Sequence, residues 1–417
     1  MENNITINNK IPQFRFPGFT GEWQEKKLNE VFSRVTRKNA ENNQNVLTIS
    51  AQYGLISQLE FFKKSVASSD VTGYYLLHKG EFAYNKSSSQ GRPVGAIKPL
   101  RLYDKGVVST LYICFKCNNP EEIDFWEQYF DAGILDSEIL SIAQEGARNH
   151  GLLNISTGDF FGLNVILPTP PEMKKIAECL SSFDDVITAA ENELDSLKAH
   201  KKGLMQQLFP QPGATTPALR FPGFTGKWQE KKLNKVFSRV TRKNAENNQN
   251  VLTISAQYGL ISQLEFFKKS VASSDVTGYY LLHRGEFAYN KSSSQGRPVG
   301  AIKPLRLYDK GVVSTLYICF KCNNPEEIDF WEQYFDAGIL DSEILSIAQE
   351  GARNHGLLNI STGDFFGLNV ILPTPPEMKK IAECLSSFDD VITAAENELD
   401  SLKSHKKGLM QQLFPQL

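Results

Sequence analysis

Hydrophobic positions change period once in each half of the chain. Between Arg15 and Pro170 they fall in short runs rich in β-branched and aromatic residues. These runs are VLTISAQYGLI from Val46, GEFAYNK from Gly80, STLYICFK from Ser109 and LNVILP from Leu163. Bounded by Gly, Ser, Asn and Pro clusters, they predict strands. DFWEQYFDAGI from Asp124 and DSEILSIAQEG from Asp136 predict short helices. From Pro170 the period lengthens. Met173, Ile176, Leu180, Phe183, Ile187, Ala190, Leu194, Leu197, Lys201, Leu204 and Leu208 follow at steps of three and four. That is a heptad stripe with one polar member, Lys201. Pro170-Pro171-Glu172 supplies a helix start and Pro210 a stop, giving a helix about 54 Å long.

The same pattern is then written again. Arg15–Gln211 recurs as Arg220–Gln416 at a constant offset of 205. Four positions differ: Glu22/Lys227, Glu30/Lys235, Lys79/Arg284 and Ala199/Ser404. The repeat unit is domain-sized, too long for a solenoid module. The expected organisation is a tail over 1–14, a mixed domain over 15–170 and a helix over 171–209. A linker over 210–219 leads to a second domain over 220–375 and a second helix over 376–414. So narrow a stripe suits a helix partner, and two identical stripes in one chain can satisfy each other if they run antiparallel. The predicted seam is Ile176, Leu180, Phe183, Ile187, Leu194, Leu197 and Leu204 against Ile381, Leu385, Phe388, Ile392, Leu399, Leu402 and Leu409. The predicted fold class is α+β: two mixed α/β domains related by a pseudo-two-fold and joined by long antiparallel coiled-coil helices.

Composition narrows the function. Hydrophobic residues are 41% and charged residues 22%, an ordinary globular balance. A net charge of −2 excludes a uniformly basic nucleic-acid coat but leaves room for a local basic face. No apolar run approaches membrane-spanning length, and the start, MENNITINNKIPQF, has no apolar signal core. Six cysteines in a chain of 417 residues suit free thiols in a reducing cytoplasm. The sequons at Asn85 and Asn154 are then chance matches.

Catalytic motifs are missing. Gly226-Lys227-Trp228 lacks the upstream glycine and the hydroxyl residue of a phosphate loop. No Gly-x-Gly-x-x-Gly turn and no Asn/Asp-Pro-Pro-aromatic tetrapeptide occurs. Cys114-x-x-Cys117 and Cys319-x-x-Cys322 fall in a strand-like run, where residues three apart point to opposite faces, a poor metal geometry. Binding is the better expectation. Asn85, Lys86, Ser87, Ser88, Ser89, Gln90 and Arg92 form a polar loop, as do Asn290, Lys291, Ser292, Ser293, Ser294, Gln295 and Arg297. Amides and cations of this kind read base edges, and hydroxyls support phosphate contacts. A second loop offers Arg148, Asn149 and His150, repeated as Arg353, Asn354 and His355. Lys63-Lys64 and Arg37-Lys38 are further candidate phosphate contacts, while Tyr74 and Tyr75 read as core.

One stretch carries a wider resemblance: LLNISTGDFFGLNVILPTPPEMKKIAECLSSFDDVITAAENELDSLKAHKKGLMQQLFPQ. It combines a strand ending in Leu-Pro-x-Pro, a Glu entering the helix, a mid-helix Asp-x-x-Ile and a Lys-Lys-x-Leu-Met-Gln-x-Leu-Phe end. With Trp23-Gln24-x-x-x-Leu28 and the strand runs above, it resembles the specificity (S) subunit of type I restriction-modification systems. The resemblance implies a non-catalytic subunit whose two target recognition domains each read half of a bipartite double-stranded DNA site. It implies helices that set the gap and dock two modification subunits, which methylate adenine N6. Restriction subunits would join them. S-adenosylmethionine, ATP and Mg would sit on those partners, leaving this chain without a cofactor or metal. Ordinary members carry two unlike domains; here the domains are nearly identical, so an inverted-repeat site is expected. The competing expectation is a symmetric coiled-coil scaffold that binds proteins and reads no DNA.

Overall fold

The computed structural model describes residues 10–50, 53–63, 70–87, 92–143, 151–255, 258–267, 275–292, 297–348 and 356–415. The chain divides into two compact units, Met1–Glu191 with Asn397–Leu417, and Asn192–Glu396. Each unit combines one globular domain with a segment of each of two 39-residue helices, Pro170–Leu208 and Pro375–Leu413.

In the first unit a four-stranded antiparallel sheet has the order Phe32–Arg34, Ile113–Cys117, Phe82–Asn85, Ala96–Pro99. Both of its faces are covered. Phe82, Tyr84, Ile113, Phe115 and Cys117 enter one core, whereas the alternating Ala83 and Cys114 enter another. Period-two alternation therefore separates two apolar clusters here. The larger cluster is built on rings: Phe32 meets Trp126 at 4.6 Å, and Phe82 stacks on Phe115 at 5.4 Å. Trp126 comes from helix Ile123–Asp131, whose inner face also buries Phe125, Tyr129 and Phe130.

The expected strands are shorter than their hydrophobic runs. VLTISAQYGLI is a hairpin rather than one strand, Leu47–Ser50 against Gly54–Ser57. Gly54 has a φ of +65°, a turn conformation that favours glycine. A further strand, Gln24–Lys27, pairs antiparallel with Asn164–Leu167. Its four residues are all polar and exposed, so no hydrophobic alternation announces it.

The helix segments close the core. Met173, Ile176, Ala177 and Leu180 come from the first helix, and Met410, Leu413 and Phe414 from the far end of the second copy. Phe414 lies 5.5 Å from Tyr129, 5.9 Å from Phe125 and 6.3 Å from Trp23. A fully buried Phe contributes roughly 1.5–3 kcal/mol. The domain core is thus completed by residues that the other repeat encodes. The two segments run antiparallel: Glu191 pairs with Lys403 at 2.7 Å and Asp184 with Lys406 at 2.6 Å, one number rising as the other falls. At the helix start Glu172, 1% exposed, takes both nitrogens of a bidentate Arg15 fork at 2.7 Å. That hydrogen-bonded pairing holds the Arg15 guanidinium above its usual range.

The second unit, taken by itself, repeats these features. Its sheet order is Phe237–Arg239, Ile318–Cys322, Phe287–Asn290, Ala301–Pro304. Met205, Leu208 and Phe209 close its core, with Phe209 5.6 Å from Tyr334. Lys198–Glu396 at 2.6 Å and Lys201–Asp389 at 2.5 Å mark its antiparallel helix segments. The joint ahead of the second repeat is no free spacer, because Leu219 N–H donates to Gln207 O and Trp228 N–H to Thr215 O. No helix among the described residues is long and apolar enough to cross a membrane.

Candidate nucleic-acid interface

The described stems of the two polar loops, some sixty residues apart in sequence, lie side by side. The first is the hairpin loop between strands Phe82–Asn85 and Ala96–Pro99. The second follows helix Asp136–Ile142. Their stems pair: Ser87 forms an antiparallel bridge with Leu152, and Leu153 N–H donates to Lys86 O at 3.0 Å. The second unit has the same pairing, with Ser292 bridged to Leu357 and Leu358 N–H donating to Lys291 O. Gly95 returns the first loop to the sheet at φ +84°. A Cβ there would stand 2.0 Å from Asn85 O, so only glycine fits.

The stem residues hold the loops as well as display them. Asn85 Oδ1 accepts from Ser87 N–H at 3.1 Å, an Asx turn. Lys86 Nζ donates to Ile155 O at 3.3 Å, and burial lowers its pKa. Asn290, Lys291 and Ser292 are placed alike. Arg92 lies 3.5 Å from Asp131, a carboxylate also bound by Lys98 at 2.6 Å. Arg297 lies 3.6 Å from Asp336, a charge contact longer than a hydrogen bond. Both arginines are about a third exposed, at 33% and 32%, so each can exchange its carboxylate for an incoming anion. Ser88, Ser89, Gln90, Arg148, Asn149 and His150 lie outside the described residues, as do Ser293, Ser294, Gln295, Arg353, Asn354 and His355.

Two of the other candidates, Arg37 and Lys38, have structural partners. Arg37 makes a bidentate pair with Glu81, and Lys38 Nζ caps Gly73 O and stands 4.4 Å over the Tyr75 ring. Tyr74 and Tyr75 are half-buried, and Tyr75 packs against the smaller apolar cluster of its domain. Lys63 has a left-handed φ of +53°, and Lys64 lies outside the described residues. Cys114 and Cys117 sit in different apolar clusters, and burial pushes their thiols up to about 12 and about 11. The seam residues Ile176, Leu180 and Leu194, with Ile381, Leu385 and Leu399, are buried. Phe183, Ile187, Leu197 and Leu204, with Phe388, Ile392, Leu402 and Leu409, are half-buried.

Two features escape sequence reasoning. Phe209 and Phe414 fall one residue past the stripe and read as part of a helix end. The short helix Gln58–Phe62 exposes Leu59, Phe61 and Phe62, close to Tyr53 in sequence.

No protein-family profile matches the chain. The specificity subunit of the type I restriction enzyme MjaVIII of Methanocaldococcus jannaschii is 25% identical over 302 residues. That match covers 66% of this chain and 66% of the relative, so the chain spans about two thirds of the relative's length. Two solved structures superpose over nearly the whole chain. One is the S subunit of a type I restriction-modification system from M. genitalium, with a TM-score of 0.51 and 14% identity, covering 97% of this chain and 99% of that one. The other comes from work on complex assembly and conformational transition of the type I system, with a TM-score of 0.52 and 14% identity, covering 96% and 99%. This chain is thus similar in fold to S subunits of type I restriction-modification systems, and similar in sequence, over about two thirds of its length, to one type I specificity subunit.

Proposed function

We propose that the chain is the DNA-reading subunit of a type I restriction-modification complex, without chemistry of its own. Each domain would present its paired loops to one half of a bipartite site. Modification subunits, carrying S-adenosylmethionine, would methylate adenine there, and restriction subunits would complete the nuclease. The observation that carries this reading is the pairing, through Ser87 and Leu152, of the stems from which two amide- and cation-rich stretches of the sequence depart, on a fold similar to that of specificity subunits. Loops anchored at their stems on a rigid sheet can present side chains to base edges in a fixed register. Near-identical domains read the same bases, and antiparallel helices would offer them to opposite strands. The site would then be an inverted repeat about an unread gap.

Gel shift of the S subunit with modification subunits tests this on a DNA library. Binding should weaken steeply as salt rises, since phosphate contacts release counterions. Arg92→Ala together with Arg297→Ala should cost about tenfold or more in affinity or in base preference. Unchanged affinity and preference would remove this loop from the interface.

A further inference from the structure

Each helix carries a single polar member in its apolar stripe, Lys201 in the first and Lys406 in the second. Lys406 is only 12% exposed, and its Nζ donates to Asp184 Oδ1 at 2.6 Å on the antiparallel segment. The second oxygen of Asp184 accepts from Gln128 Nε2 at 2.8 Å. Gln128 belongs to helix Ile123–Asp131 of the globular domain and is 4% exposed. Three elements thus meet at one carboxylate: the reading domain, the helix leaving it and the helix from the other repeat. The second unit holds the same triad by itself, with Lys201 to Asp389 at 2.5 Å and Gln333 to Asp389 at 2.7 Å. The outer pairs, such as Lys403 with Glu191, have a lysine about half exposed and contribute little.

We propose that Gln128–Asp184–Lys406 and Gln333–Asp389–Lys201 are positioning clamps. They set the register of the helix segments and the seat of each reading domain on them. If the chain reads DNA as proposed above, they also set the gap length it accepts. Sliding the segments by a heptad one way would set Lys406 against Ala177, an ammonium in an apolar stripe with no counter-charge, a penalised state; sliding them the other way would set it against Glu191, a carboxylate that Gln128 does not hold, and leave Asp184 without its lysine. Turning the domain on its helices would break the Gln128 bond. Stability alone does not require these groups, because an apolar set of similar volume packs as well or better. Gln128 Oε1 is moreover buried with no hydrogen-bond partner among the described residues, so the amide carries a cost that a leucine would not. What the polar triad adds is discrimination between alignments.

Two variants of the full chain test this, on a background with Cys179→Ser and Cys384→Ser. The first combines Gln128→Ala with Gln333→Ala, and the second combines Asp184→Leu, Lys406→Met, Asp389→Leu and Lys201→Met. Spin labels at Ser137 and Ala189 report the seat of the domain on the helix, and labels at Ala189 and Ser404 report the helix register. The unsubstituted clamp should give one narrow distance for each pair. The glutamine variant should broaden only the domain–helix distance, and the apolar variant both. In cells with modification subunits, methylation at gaps one base pair longer or shorter should rise about tenfold. Unbroadened distances in both variants overturn the clamp. Broadened distances with an unchanged gap preference overturn its role in spacing. Broadened distances in a complex that methylates no bipartite site leave the clamp standing and refute the DNA-reading proposal.

Discussion

Asp136 sits half-buried beside the first candidate loop, and burial raises its pKa while Arg92 opposes the shift. Asp341 is placed alike beside Arg297. A carboxyl whose folded pKa lies above its unfolded value favours the fold most below the unfolded value, about 4. That contribution is lost as pH rises through the folded value. Asp136→Asn with Asp341→Asn should therefore raise the thermal midpoint at neutral pH, and the advantage should vanish in acid. A calorimetric midpoint that falls at neutral pH would contradict this. The cysteines give a second residue-scale expectation. Cys114 and Cys319 are pushed up to about 12, and Cys117 and Cys322 to about 11, by burial. A maleimide at neutral pH should label the half-exposed Cys179 and Cys384 and spare those four until the domains unfold. Early labelling of Cys114 would show that the sheet opens locally.

At the scale of elements, the core of each globular domain depends on the end of the opposite repeat's helix. Phe414→Ala should cost about 3–5 kcal/mol. The loss should appear in helix Ile123–Asp131, far from residue 414 in sequence, while helix Ile328–Asp336 keeps its protection. Hydrogen exchange reads this directly. Equal deprotection of both helices, or of neither, would contradict the packing. The elements differ in how legible they were. The long helices follow from the heptad stripe, but the stripe alone does not separate a helix paired with another helix from one lying on its own domain, and the start of each helix packs on its own domain core. Helix Ile123–Asp131 follows from its bulky apolar residues. Strand Gln24–Lys27 does not, because an all-exposed polar strand leaves no alternation to read. The hairpin within VLTISAQYGLI is not legible either, because both of its strands fall in one run of strand-forming residues. The partners of Arg37, Lys86 and Arg92 are long-range contacts, invisible to any local pattern. The clamp was half visible: Lys201 stood out as an exception in the stripe, but nothing local named Asp389 as its answer.

For the whole molecule, the duplication is the decisive fact. Two domains with four differences in 197 residues present the same loops, and the substitutions Glu22/Lys227 and Glu30/Lys235 lie outside those loops. Both units use the same internal devices: the Arg15–Glu172 and Arg220–Glu377 anchors, the helix-end phenylalanines and the glutamine clamps. If the chain reads DNA as proposed, it has no means of telling one half-site from the other. Sequencing of methylated adenines in cells that express this chain with modification subunits tests the account most directly. The account predicts a short half-site, a gap of fixed length and the reverse complement of that half-site, methylated on both strands. A bipartite motif with two unlike halves, or no sequence-specific methylation at all, would contradict it.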